Sequence, residues 1–322
     1  MLSSTSVSLP SLAIISRNQT VVTLGSCFAD HIGQRFVANK WTCVSNPFGT
    51  LYQPLAITGI LELVLGDRPL PDDGYLERDG GIFHYDLPST LYGRTRKELS
   101  NKVRGLGEQI RRLLEQPGWL MLTLGTSFAY RHKESGLWVA NCHKQEGSLF
   151  SKHLLNLEEI HAAWRRCEEL IPAHTRILWT LSPVRHTRDT LPLNMVSKSL
   201  LRIWIHQMTE RDSTSLYFPA YEILLDEWRD YRFYADDLIH PRESTIECLW
   251  QRFQEAYFDA ESRDFVKCWE KILLRLAHRP LRPEAPSYRA FLLDTLRELQ
   301  QFDSLDTTAE QSALEAKLQN LR

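Results

Sequence analysis

"TVVTLGSCFADHIG", residues 20–33, decides the fold. Residues 20–25 form a β-branched apolar run that ends in Gly, the pattern of a strand buried on both faces. From Cys27 onward, Phe28, Ile32, Phe36 and Val37 recur at helical spacing. A strand, a sharp turn and a helix therefore follow one another directly. Two nucleophile-type side chains, Ser26 and Cys27, stand side by side in the turn.

The alternation continues downstream. "WTCVSNPFG" (41–49) reads as a strand and turn, and "LAITGILELVLG" (55–66) as an amphipathic helix. Residues 67–95 read as irregular, with a hairpin at "YLERDGGIFHY" (75–85). "ELSNKVRGLGEQIRRLLEQ" (98–116) is helical, "WLMLTLGTS" (119–127) is the next buried strand, and "GLWVAN" (136–141) is a short one. "NLEEIHAAWRRCEELI" (156–171) is a helix with Asn156 at its N-cap. "TRILWTLSPV" (175–184) is a strand stopped by Pro183, "NMVSKSLLRIWIHQMTE" (194–210) a helix, and "SLYFPAYEILLDE" (215–227) opens as a strand.

Alternating apolar strands and helices predict an α/β protein with a parallel sheet covered on both faces. Ligand sites of such sheets lie at the carboxyl ends of the strands. That places "GSC", "NPFG", "GTS" and "SPV" on one rim. The α/β domain is expected over 1–245 and a helical C-terminal extension over 246–322, the latter broken at "HRPLRPEAP" (278–286). In the extension, Thr307 and Glu310 have capping-box spacing, and Leu314, Leu318 and Leu321 make a weak apolar stripe open to another chain.

A net charge of −2 gives no basic field for nucleic acid or an anionic membrane. No apolar run reaches the length of a membrane span. The N-terminus carries no basic residue before Arg17, a poor match to a secretory leader, so a cytoplasmic protein is expected. The six cysteines form no CxxC pair, and reduced thiols are expected. Cys142 and His143, with His31 or His84, fit no zinc spacing; neither a metal nor another cofactor is expected. The oligomeric state is left open.

The chemistry concentrates in two places. In "YADDLIHPRE" (234–243), Asp237 precedes His240 by three residues. A carboxylate at that offset reaches imidazole Nδ1 and leaves Nε2 for a nucleophile; the plainer reading is a surface histidine near a helix start. At the first turn, a thiol at a helix N-terminus is favoured as thiolate by the macrodipole and the free N–H groups. Cys27 is otherwise a small buried apolar residue, and Ser26 is otherwise the helix N-cap. His143 is an alternative base. The aromatics from Tyr217 to Tyr234 suit core and loop packing, or the wall of a sugar site.

The order and spacing of "LGSCFADHIG" (24–33), "NPFGTLYQP" (46–54), "LTLGTSFAY" (122–130), "VANCHK" (139–144), "TLSPVRHT" (180–187) and "FPAYEILLDEWRDYRFYADDLIHP" (218–241) resemble the GSCFA family, itself similar to the SGNH (GDSL-type) hydrolases. The resemblance implies a three-layer α/β/α, flavodoxin-like fold and ester-type acyl chemistry. By position it puts the nucleophile on Cys27, with Ser26 the alternative, and the orienting pair on Asp237 and His240. It puts the second-block glycine on Gly49. The third-block Gly-x-Asn-Asp falls on Gly125-Thr126-Ser127-Phe128, so the oxyanion-hole Asn of that pattern is missing. Asn46, Asn141, or the hydroxyl of Thr126 or Ser127 are the substitutes, beside the N–H groups of Cys27 and Gly49. The implied function is an ester hydrolase acting on an O-acyl, carbohydrate or other small-molecule, ester. An O-acyltransferase using acyl-CoA and a non-catalytic binding module are the alternatives.

Overall fold

The computed structural model describes residues 5–303 and 305–321. In chain order the first elements are β1 (Thr20–Gly25), α1 (Cys27–Ala38), β2 (Cys43–Ser45), α2 (Pro54–Leu65), β3 (Tyr75–Arg78), β4 (Gly81–His84) and α3 (Arg96–Leu114). There follow β5 (Gly118–Leu124), β6 (Phe128–His132), β7 (Trp138–Val139), β8 (Phe150–Leu154), α4 (Leu157–Glu168) and β9 (Thr175–Leu181). The chain continues with α5 (Leu191–Arg211), β10 (Ser215–Phe218), the short α6 (Ala220–Glu222), α7 (Glu243–Tyr257), α8 (Ala260–Ala277), α9 (Pro286–Leu299) and α10 (Thr308–Gln319).

Five parallel strands form the central sheet in the order β10-β9-β5-β1-β2. Every residue of β1 and β5 is buried, because helices cover both faces. The period-two alternation divides the layers. Val22, Leu24, Leu120 and Leu122 join one core with α2, α3, α4 and α5. Thr23, Met121, Thr123 and Thr180 point the other way, against Phe28 and Ile32 of α1 and Phe253 of α7. Phe36 of α1 meets Trp250 and Phe253 of α7 edge-on at 5.0 and 5.9 Å between ring centroids.

Two small antiparallel pieces decorate this frame: the expected hairpin β3–β4, and a three-stranded sheet β7-β6-β8. The short, polar "FAYRH" and "FSKHL" of β6 and β8 carry no apolar run that announces a strand. Asn156 caps α4 as expected, in a reciprocal capping box with Glu159.

The chain divides into two compact units, one containing Arg17–Tyr257, the other Ala13–Ser16 and the residues from Phe258 onward. Helix α7 thus belongs to the sheet unit. The second unit is α8, α9 and α10 around Trp269, Ile272, Leu292, Leu299 and Leu314, with Leu318 and Leu321 packed against them. The Leu314–Leu321 stripe is therefore consumed inside its own unit. The Thr307 side chain makes no cap bond to the helix backbone; Gln311 Nε2 donates to its hydroxyl at 2.8 Å instead. No helix among the described residues is long and apolar enough to cross a membrane.

Three tryptophans lock the α4–β9–α5 layer. Trp179 lies 4.8 Å from Trp164 and 5.0 Å from Trp204 in edge-to-face geometry, all nearly inaccessible. The indole N–H of Trp204 is buried without a hydrogen bond. Trp204→Ala is expected to lower stability by about 3–5 kcal/mol in urea denaturation. Trp204→Phe, which also removes the unpartnered donor, is expected to lose much less.

Candidate active site

Strand β1 ends where only glycine fits. Gly25 has φ +135°, and a Cβ there would stand 2.2 Å from the Thr123 carbonyl oxygen of β5. Ser26 then donates its N–H to that carbonyl at 3.1 Å. Its hydroxyl accepts from Phe28 N at 3.3 Å, making Ser26 the N-cap of α1 and burying it. Cys27 is the first residue of α1 and is partly exposed. Its thiol lies above the ordinary value overall, because burial outweighs the helix N-terminus that was expected to favour the thiolate. The Phe28 N–H, the Lys198 charge and its own N–H pull it down, and Asp30 pushes it up.

Asn46 stands beside this turn. It adopts φ +41°, and its Oδ1 accepts from Gly25 N at 3.1 Å. With the oxygen so engaged, the amide Nδ2 has no hydrogen bond to the described residues and remains a donor at the turn.

The Asp237–His240 pair forms as its spacing demands. Asp237 Oδ2 accepts from His240 Nδ1 at 2.6 Å, and Oδ1 accepts from the N–H groups of Ile239 and His240 at 2.9 and 3.0 Å. Those donors hold the Asp237 carboxyl at about 2. The tautomer this favours leaves Nε2 with its lone pair as an acceptor. His240 is half-exposed, and no hydrogen bond joins it to Cys27. Burial lowers the pKa of His31, one turn after Cys27 on α1.

The remaining candidates are held elsewhere. The Gly49 N–H closes a turn on Asn46 O at 2.8 Å, so it is not offered to a ligand. The Thr126 hydroxyl shares a bond with Ser197 Oγ at 3.0 Å and accepts from Phe128 N at 3.1 Å. Ser127 donates its N–H to Ser197 Oγ at 2.7 Å and its hydroxyl to Ser197 O at 3.2 Å. These bonds pin the end of β5 to α5, and neither hydroxyl is free to replace the missing Asn. Asn141 and His143 come together with each other, not with Cys27. Asn141 Oδ1 accepts from Ser89 Oγ and His143 N at 3.0 and 2.8 Å. His143 Nε2 bonds His84 O at 2.8 Å and Nδ1 bonds Ser89 Oγ at 3.2 Å. Both ring nitrogens are thus occupied, and burial lowers the His143 pKa. His84 is also buried and bonded, to Pro71 O and Asp86 N, so neither histidine is an available base.

Three residues join the rim unannounced. Tyr52 accepts the Gly125 and Thr126 N–H groups on its carbonyl at 2.7 and 3.0 Å, and its ring meets His186 edge-on at 5.5 Å. His186 Nε2 is buried without a hydrogen bond, 3.1 Å from where a Gly125 Cβ would stand. Burial, then the charges of Lys198, His240 and Lys152, lower its pKa to about 4. Lys198 is fully buried on α5, and burial lowers its pKa to about 7. A sequence signal existed for α5: Asn194, Ser197 and Lys198 share a face with Leu201, polar residues on a buried helix stripe.

The fold and rim together define a class: an α/β protein with a parallel sheet whose first strand delivers a cysteine to a helix N-terminus. Residues 20–253 match the GSCFA family, and the chain belongs to that family. Residues 269–320 match the GSCFA domain protein, C-terminal domain. No curated protein and no solved structure matches the chain.

Two outcomes follow from this geometry. Ser26→Ala removes a helix cap and is expected to cost about 1 kcal/mol in denaturant titration. His186 is neutral in the fold and charges more readily when unfolded, so the unfolded state binds the extra proton. Stability is expected to fall as pH drops from about 6.5 toward about 4, by about 3 kcal/mol in full. His186→Phe should flatten that part of a melting-temperature profile.

Proposed function

We propose that the protein is an SGNH-like ester hydrolase with Cys27 as nucleophile, acting on an O-acyl ester such as an acylated carbohydrate. The observation that carries this reading is the 2.6 Å Asp237–His240 pair, in the same compact unit as a partly exposed cysteine at a helix N-terminus. The strand order β2-β1-β5-β9-β10 supports the kinship, being the order 2-1-3-4-5 of flavodoxin-like sheets.

In the reaction, His240 Nε2 takes the proton from Cys27 Sγ, and the thiolate attacks the ester carbonyl carbon. The N–H of Cys27 and Nδ2 of Asn46 receive the oxyanion. The intermediate collapses, the alcohol leaves with the proton from His240, and a thioester remains on Cys27. Water, deprotonated by His240, cleaves the thioester and releases the acid. Asp237, ionised throughout the working range, steadies the imidazolium. Ser26 serves as the cap rather than the nucleophile, because its oxygen is buried and bonded to Phe28 N.

Intact-mass spectrometry after incubation with p-nitrophenyl acetate, and separately with acetyl-CoA, tests this. Wild type and Ser26→Ala are expected to carry one acetyl group, and Cys27→Ala none. An adduct that survives in Cys27→Ala moves the nucleophile elsewhere; faster labelling by acetyl-CoA, discharged by a sugar alcohol, makes the enzyme an acyltransferase. A folded protein that neither labels nor releases product with either donor leaves rapid turnover through Ser26 on a natural ester, a very narrow substrate range, or a binding module. His240→Ala is expected to lose roughly 10²–10⁴-fold in kcat.

A further inference from the structure

Helix α5 presents a row of buried polar side chains to the sheet, and two have obvious tasks. Asn194 Oδ1 accepts from His186 N at 2.8 Å, and Ser197 Oγ accepts from Ser127 N at 2.7 Å. Lys198 is different. It is 1% exposed, its Nζ donates to Ser182 O at 2.7 Å, and it lies 5.3 Å from the Tyr221 ring centroid. No carboxylate among the described residues pairs with it. An ammonium has three donors and needs a counter-charge in a dry site.

The backbone brings its anchor to the same place as Cys27. Ser26 N bonds Thr123 O from one side of β5, and Ser182 N bonds Leu124 O at 2.8 Å from the other. Consecutive carbonyls of one strand thus hold the cysteine turn and the lysine anchor. The electrostatics are reciprocal: Lys198 lowers the Cys27 thiol, and Cys27 raises Lys198 against its burial. The other groups facing the couple are Asp30 on α1, which raises the thiol, and Tyr52, itself raised by Cys27. His186, with Lys152 and His240 beyond it, adds no negative charge.

We propose that Lys198 is the buried counter-charge of the Cys27 thiolate. When the thiol ionises, the S–H bond breaks, its proton passes to His240, and Lys198 keeps its own proton as the ammonium opposite sulfur. The thiolate holds the ammonium protonated against its burial, and the sulfur gains a fixed positive partner. The catalytic meaning of the couple rests on the acyl-enzyme reading above, whereas the ionisation itself does not.

The test is the pH dependence of iodoacetamide alkylation at Cys27, followed by peptide mass spectrometry. In Lys198→Met the midpoint is expected to rise by at least about one pH unit, a roughly tenfold loss of reactive thiolate at a fixed pH below it. Lys198→Gln, which retains a donor for Ser182 O, should show the same rise and serves if the Met variant does not fold by circular dichroism. A midpoint that is unchanged or lower in a folded variant overturns the proposal. Acyl labelling of wild type is read separately. A shifted midpoint without labelling keeps the couple and removes the hydrolase reading; labelling without a shift does the reverse.

Discussion

The close approach of Gly25 to the Thr123 carbonyl is the constraint on which the rim depends. A Cβ at residue 25 would stand 2.2 Å from that oxygen, so the two central strands meet there backbone to backbone. Because β1 cannot continue past this point, the chain turns within one residue. Ser26 completes the turn with its N–H on the same carbonyl and its hydroxyl on α1. Cys27 is then left at the first helical position, where its own N–H and that of Phe28 act on the sulfur. The polar character of the site is a consequence of this backbone geometry.

Around that turn, the end of β5 acts as a hub. Its last carbonyls receive the turn after β1 and the segment after β9, while Gly125 and Thr126 give their N–H groups to Tyr52 O. Ser127 is fastened to Ser197 of α5. Side chains from five different stretches of chain are thereby fixed without any of them lying on a long loop. Such bonding holds catalytic-type groups in place before a substrate arrives. It also explains why Thr126 and Gly49 serve the scaffold: their donors and acceptors are consumed in building it.

Two histidine clusters show how similar residues diverge by environment. His84 and His143 are buried with both ring nitrogens bonded, inside the β3–β4 and β6–β8 decoration. His240 is half-exposed with one nitrogen held by an ionised carboxylate and the other unbonded. His186 lies between these extremes, half-buried as a residue but with its Nε2 buried and unbonded against Gly125. Residue type alone does not separate the four; burial and the direction of each hydrogen bond do.

The sequence by itself determined the parallel α/β class, the strand–turn–helix at Ser26–Cys27, the α4 cap at Asn156 and the Asp237–His240 pair. Each of these is local: hydrophobic period, cap chemistry and a three-residue offset act within a few residues of chain. Even the family motifs are short stretches of that kind. The tertiary structure alone decided which polar groups were already committed. It also decided the short strands β6 and β8, whose pairing rather than composition makes them strands. It placed Tyr52, His186 and Lys198 at the rim, separated in sequence and carried by different elements. Their roles depend on strand order, on which face of α5 turns inward and on how deeply each charge is buried. Those are properties of packing between distant segments, and no single segment contains them.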